Sequence, residues 1–117
     1  MRIDVFTIFP QIVGEFSQHS LVGKATNNGL VDLRLHDPRD YAEGVHRSVD
    51  DSPYGGGAGM VMMPGPIFDA VEAADPPRPL YLLGPGGKVF DQQMASELAS
   101  GSGFSLLCGR YEGIDAR

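Results

Sequence analysis

Residues 80–109 read LYLLGPGGKVFDQQMASELASGSGFSLLCG, and the fold class follows from them. Leu80 to Leu83 is a short, wholly apolar run, the pattern of a strand covered on both faces. It breaks at Gly84-Pro85-Gly86-Gly87. Asp91 offers a short acceptor side chain for a helix start, and Met94, Ala95, Leu98 and Ala99 then line one side at helical spacing. Gly101 to Gly103 ends that helix. Phe104 to Cys108 is a second apolar strand, closed by Gly109. A strand, a helix and a strand joined by short glycine-rich turns form the unit of an α/β domain with a mainly parallel sheet.

The flanking sequence repeats the alternation. Ile3, Val5 and Ile8 fit a buried strand, and Phe6 adds contact on its other face. Phe9-Pro10 stops it, and proline suits the first turn of a helix whose stripe is Ile12, Val13 and Phe16. Ser20 reads as the N-cap of a second short helix, which Asn27-Asn28-Gly29 terminates. Val31, Leu33 and Leu35 alternate with Asp32 and Arg34, a strand with one wet face. Met60 to Met63 fits a short buried strand. Pro64-Gly65-Pro66 opens a helix carrying Ile67, Phe68, Val71 and Ala74, and Asp75-Pro76-Pro77 closes it.

The 117 residues suit one domain with a real core. Glycine supplies 16 of them, about twice the usual share, which marks many tight loops. No apolar run approaches the ~20 residues of a membrane span. The single cysteine excludes an internal disulfide and fits a reducing cytoplasm. A net charge of −6 argues against a basic nucleic-acid-binding module, although Arg34, His36, Arg39, His46 and Arg47 form either a small local basic site or a solvated surface.

From His36 to Gly59 no periodicity persists, and a segment of that length is often functional. It ends in DDSPYGGGAGMVMMP, Asp50 to Pro64. Three consecutive glycines can be a flexible surface loop. A tyrosine before them and an apolar run after them favour an ordered loop that a ligand or a second chain lies against.

Parallel sheets bind ligands beyond the carboxyl ends of their strands. If the strands ending at Leu83 and Cys108 are neighbours, their glycine-rich loops border one pocket. Main-chain groups there can hydrogen-bond a planar heterocycle, with Leu83 and Pro85 packing on it; two ordinary turns are the alternative. Neither loop is a dinucleotide fingerprint or a P-loop. His19, His36 and His46 lack metal-ligand spacing, and Cys108 in an apolar strand reads as core. Glu112, among Arg110, Tyr111 and Asp115, is either a site residue or one end of a surface salt bridge.

Two motifs carry a resemblance. SVDDSPYGGGAGMVMMP and LCGRYEGID, with the opening IDVFTIFP, closely resemble the bacterial tRNA (guanine-N1)-methyltransferase family, TrmD. LVGKA, NGL, HDPRDY and the run His46 to Asp50 match as well, so the resemblance covers Met1 to Arg117. It implies methylation of guanine N1 in tRNA, at the guanosine 3′ of the anticodon, with S-adenosylmethionine as donor. It implies a SPOUT-class trefoil-knot domain in a cytoplasmic homodimer. Leu83, Gly84 and Pro85 would line the donor pocket, with Gly109, Tyr111, Glu112 and Gly113 as its other wall and Glu112 near the target guanine. Asp50, Tyr54, Gly55, Gly56, Gly57 and Gly59 would face the tRNA and the partner subunit. No metal ligand set is implied in this segment. Family members continue past the equivalent of Arg117, where the resemblance places the threaded segment, the catalytic aspartate and a tRNA-binding domain. These 117 residues are the N-terminal part of the methyltransferase domain on this reading, and inactive alone.

Overall fold

A computed structural model describes residues 1–41, 50–51, 61–62, 64–84 and 86–109. Its centre is a four-stranded sheet of β1 (Arg2–Phe6), β2 (Asp32–His36), β5 (Leu80–Leu83) and β6 (Gly103–Cys108), in the order β2-β1-β6-β5. Every neighbouring pair is parallel. Helices α1 (Pro10–Phe16), α2 (Ser20–Asn27), α3 (Pro64–Ala74) and α4 (Gln92–Ala99) make the crossovers. A 3-10 turn follows β2 at Pro38–Tyr41, and the two-residue strands β3 (Asp50–Asp51) and β4 (Val61–Met62) pair antiparallel.

The winding obeys one hand. The steps from β1 to β2 and from β5 to β6 run in the same direction along the sheet and cross on the face carrying α1, α2 and α4. The step from β2 to β5 runs the other way and crosses on the α3 face. Opposite directions on opposite faces give the same crossover hand, as the twist of strands demands.

The core lies between α3 and the two central strands. Phe6, Ile8, Ile67, Ala70 and Leu107 are buried together, with Phe6 fully so. Burial alternates along β6: Gly103, Ser105 and Leu107 are buried beneath α3, while Phe104, Leu106 and Cys108 are half-buried on the other face. Gly103 is required by close approach, because a Cβ there would lie 2.4 Å from the Arg2 carbonyl oxygen.

Local signals account for most boundaries. Pro10 occupies the first turn of α1, as its missing N–H allows. Gly29 adopts φ +76° after α2, with Leu30 N–H donating to Ala25 O and Gly29 N–H to Thr26 O. That is the left-handed stop expected from Asn-Asn-Gly. The Asp91 carboxylate accepts from Met94 N–H at 2.9 Å and caps α4. Asp91→Ala should therefore cost ~1 kcal/mol. Urea denaturation checks this; a loss under ~0.3 kcal/mol would mean the cap is dispensable.

Several expectations fail locally. Ser20 is not the cap of α2: His19 holds that position, and Ser20 is the first helical residue with φ 57°. Ile8 is buried but lies beyond the end of β1 at Phe6. The α1 stripe does not face the core, since Ile12 is 67% and Phe16 69% exposed. Only seven residues long, α1 meets the sheet through Gly14 against Leu35 instead. Phe68 is also exposed, and α3 buries Ile67 and Ala70 in its place. Along α4, Met94, Ala95 and Leu98 are half-buried and Ala99 is exposed.

Candidate functional site

All four strands of the main sheet end on one rim, because all are parallel. At that rim β5 and β6 are neighbours, with Leu83 opposite Cys108. Gly84 and Gly109, the residues that follow these strands, therefore leave the sheet side by side. This is the juxtaposition that the paired glycine loops required.

Beside Leu83 and Gly84 opens a cavity of about 730 Å³ on the α4 face. Its wall is mostly apolar: Tyr81, Phe90, Met94, Leu98 and Leu106 contribute, and Lys88 brings the one charged side chain among the lining residues. Leu83 stays 48% exposed although it sits in a strand. A Cβ built on Gly84 meets nothing within 4 Å. Internal packing among the described residues thus does not demand glycine at 84, and the space before its backbone is open. A flat aromatic ring can lie against such a wall while backbone N–H and C=O groups read its edge.

Of the residues the resemblance assigns to the donor, Leu83, Gly84 and Gly109 stand at this rim. Pro85, Tyr111, Glu112 and Gly113 lie outside the described residues. On the substrate side, Asp50 is paired with Met62 in the β3–β4 ladder. Tyr54, Gly55, Gly56, Gly57 and Gly59 lie outside the described residues, as do Arg110 and Asp115. Burial pushes the Cys108 thiol above its ordinary value, which disfavours the thiolate and fits a core residue. Among the described residues no three His, Cys, Asp or Glu side chains gather in a metal-binding group. His19 instead meets Glu15 at 3.0 Å on the exposed surface of α1.

One polar cluster escaped the sequence reading. Asp4 in β1 is completely buried. Arg2 grips it with two hydrogen bonds, Nε to Oδ1 at 2.8 Å and Nη2 to Oδ2 at 3.0 Å. His36 Nε2 lies 2.7 Å from Oδ2, and the imidazole stacks on Phe6 with centroids 4.7 Å apart. The signal was an acid inside an apolar strand, two residues from an arginine. The third member, His36, is close only because β2 pairs with β1.

Burial alone would push the Asp4 carboxyl up. The hydrogen bonds and charges of Arg2 and His36 outweigh it and hold the group below its ordinary 3.8. A carboxyl with a lowered folded value stabilises the fold fully above its unfolded value. That stability is lost as pH falls through the folded value. Stability should thus decline below about pH 4, and Asp4→Asn should flatten that decline. Denaturant midpoints at about pH 5 and about pH 3 check it; equal slopes in both proteins would refute it.

Comparison with known proteins extends over the whole chain. The family model described as tRNA (Guanine-1)-methyltransferase TrmD matches residues 1–117. A tRNA (guanine-N(1)-)-methyltransferase of Dehalococcoides mccartyi is 48% identical over 121 residues, covering 100% of this chain and 49% of that protein. The enzyme of Geobacillus kaustophilus is 48% identical over 120 residues with the same coverage. That of Oleidesulfovibrio alaskensis is 47% identical over 117 residues, covering 28% of its length. The crystal structure of tRNA (m1G37) methyltransferase from Aquifex aeolicus superposes with a TM-score of 0.86 at 37% identity. It covers 98% of this chain and 53% of that one. The chain thus spans half or less of the length of the curated relatives it matches.

Proposed function

The chain belongs to the tRNA (guanine-1)-methyltransferase family TrmD, and from that premise we propose that it supplies the donor-binding rim of an enzyme methylating guanine N1 in tRNA, at the guanosine 3′ of the anticodon. The observation that supports this best is the pairing of Leu83 with Cys108, which sets Gly84 and Gly109 side by side near an apolar cavity.

S-adenosylmethionine, when bound, supplies a methyl group on a sulfonium sulfur. Leu83, Gly84 and Gly109 would hold its flat base against the apolar wall, with the assigned Pro85, Tyr111, Glu112 and Gly113 completing the pocket. A rigid rim fixes the direction from which the guanine is approached, and orientation of that kind supplies much of a rate enhancement. Guanine N1 carries a proton at neutral pH, so a base has to remove it. The resemblance places that base, an aspartate, in sequence beyond Arg117 and leaves Glu112 beside the guanine. Asp50, Tyr54, Gly55, Gly56, Gly57 and Gly59 form the substrate wall on this reading, close to the second subunit of a homodimer. Binding phosphates needs Lys and Arg, and with a net charge of −6 this segment leaves that grip to the rest of the enzyme. The trefoil knot likewise needs chain from beyond these residues. A cytoplasmic enzyme fits the single thiol.

The test is methyl transfer from labelled donor to a tRNA transcript. The full-length protein containing this segment should modify guanine N1, and the 117-residue chain alone should not. Absence of transfer by the full-length protein, or modification at another atom, would refute the reading.

A further inference from the structure

Between α3 and β5 the chain runs Asp75-Pro76-Pro77-Arg78-Pro79. Proline has no N–H, so three of these five residues can hydrogen-bond the sheet only through their carbonyls. One residue of β6 takes two of those carbonyls. Ser105 Oγ donates to Pro77 O at 2.6 Å, and Ser105 N–H donates to Pro79 O at 2.9 Å. Ser105 is completely buried, and its register partners are Asp4 of β1 and Leu80 of β5. Asp4 is engaged by Arg2 and His36, and the Ser105 hydroxyl goes to Pro77 instead. Arg2 Nη2 adds a tie nearby, donating to Ala74 O at 3.1 Å.

The strand that follows needs such a hold. Among the described residues β5 pairs on one side only, with β6, and it is four residues long. Leu-Tyr-Leu-Leu carries apolar side chains on both faces. A one-residue slip swaps the faces of a strand, and here the swap sets apolar against apolar either way. Hydrophobic pattern therefore does not select the register of β5. Each residue of slip would carry Leu83 and Gly84 about 3.3 Å past Cys108 and Gly109. Ser105 acts at Leu80, and Leu80 to Leu83 all lie in the ladder with β6. An alanine at 105 would fill the same buried space without bringing a polar group into it. What the hydroxyl adds is a fixed direction to Pro77.

We infer that Ser105 is a positioning residue for the methyl donor: by holding Pro77 and Pro79 it fixes β5 in the register that sets Leu83 and Gly84 beside Cys108 and Gly109. This rests on the function proposed above, which puts the donor at that rim, and deepens it. Ser105 itself stays buried under the sheet and acts through β5.

The full-length enzyme tests it. Ser105→Ala removes the hydroxyl and adds no volume; Ser105→Cys puts a weak donor in its place. Ser105→Ala should raise the Kd for S-adenosylmethionine about tenfold in calorimetric titration, as expected when the competent register falls to about a tenth of the population. KM for tRNA at saturating donor should stay within about twofold of wild type. Ser105→Cys should fall between the two, and serves if Ser105→Ala does not fold. Methyl NMR reads the register: Leu82 and Leu83 should shift in Ser105→Ala, while Leu33 and Leu35 of β2 should not. Gly29→Ala is the comparator for lost stability. Gly29 ends α2 at φ +76°, which strains any side chain, and the strand that follows it is β2, at the opposite edge of the sheet from β5. It should melt earlier than wild type and keep the donor Kd. A donor Kd within about twofold of wild type in Ser105→Ala would overturn the inference. So would a KM for tRNA rising in step with that Kd, or Gly29→Ala weakening the donor equally. A wild-type enzyme that binds no donor would instead refute the function on which the inference stands.

Discussion

Gly103→Val should leave the protein unable to reach a stable fold. Gly103 opens β6 and pairs with Arg2 of β1 at the centre of the sheet. A Cβ there would sit 2.4 Å from Arg2 O, 3.3 Å from Arg2 C and 3.2 Å from Pro77 Cβ. Two of those atoms belong to backbone and cannot swing away. The only relief is to push β6 off β1, which breaks the Arg2 N–H to Ser102 O hydrogen bond and displaces the Arg2 side chain from Asp4. Overpacking with backbone displacement costs ~3 kcal/mol or more, a large part of the ~5–15 kcal/mol that holds a domain together. Gly101→Ala is the control, since its Cβ would meet Leu98 O at an ordinary 3.6 Å. Thermal unfolding of the full-length protein reads both. A Gly103→Val protein melting within ~3 °C of wild type would mean that the strands approach less closely than this.

Leu83→Asp should weaken donor binding about a hundredfold while leaving the fold intact. Leu83 is 48% exposed, so an aspartate there stays hydrated in the free protein. In the complex it would be shut in against the apolar wall of Tyr81, Met94 and Leu106. Stripping water from an unpaired carboxylate costs several kcal/mol, so ~2.7 kcal/mol of lost affinity is a modest expectation. Phe68→Asp is the control: Phe68 is comparably exposed at 58% but lies on the α3 face, away from that cavity. Calorimetric titration of S-adenosylmethionine compares them. Equal affinities for the two variants would remove the apolar cavity from the donor site.

The sheet was legible because its strands announce themselves. Leu80–Leu83 is apolar throughout, Phe104–Cys108 is broken only by Ser105, and glycine stops each of them. The same logic anticipated that the two glycine-rich strand ends lie together, since parallel neighbours share an end and Leu83 lies opposite Cys108. Helix faces were harder to read. Ile12 and Phe16 have the spacing of a buried stripe, but a seven-residue helix followed at once by α2 touches the sheet with Gly14. The 3-10 turn and the β3–β4 ladder are shorter than any period a sequence can display. Asp4 was passed over for another reason. Apolar periodicity treats a charge in a strand as noise, and the partner that explains it, His36, is 32 positions away.

The pairing of β1 with β6 also bears on how the chain is made. Arg2 and its partner Gly103 stand 101 positions apart. Ribosomes add ~5–20 residues per second, so β1 emerges roughly 5–20 seconds before the strand that completes its second edge exists. During that interval Phe6 and Ile8 can be covered by α3 but not by Leu107. The nascent chain then carries an open, apolar strand edge until β6 has emerged. A chaperone that binds short apolar strands would find its most persistent target in residues 2–8.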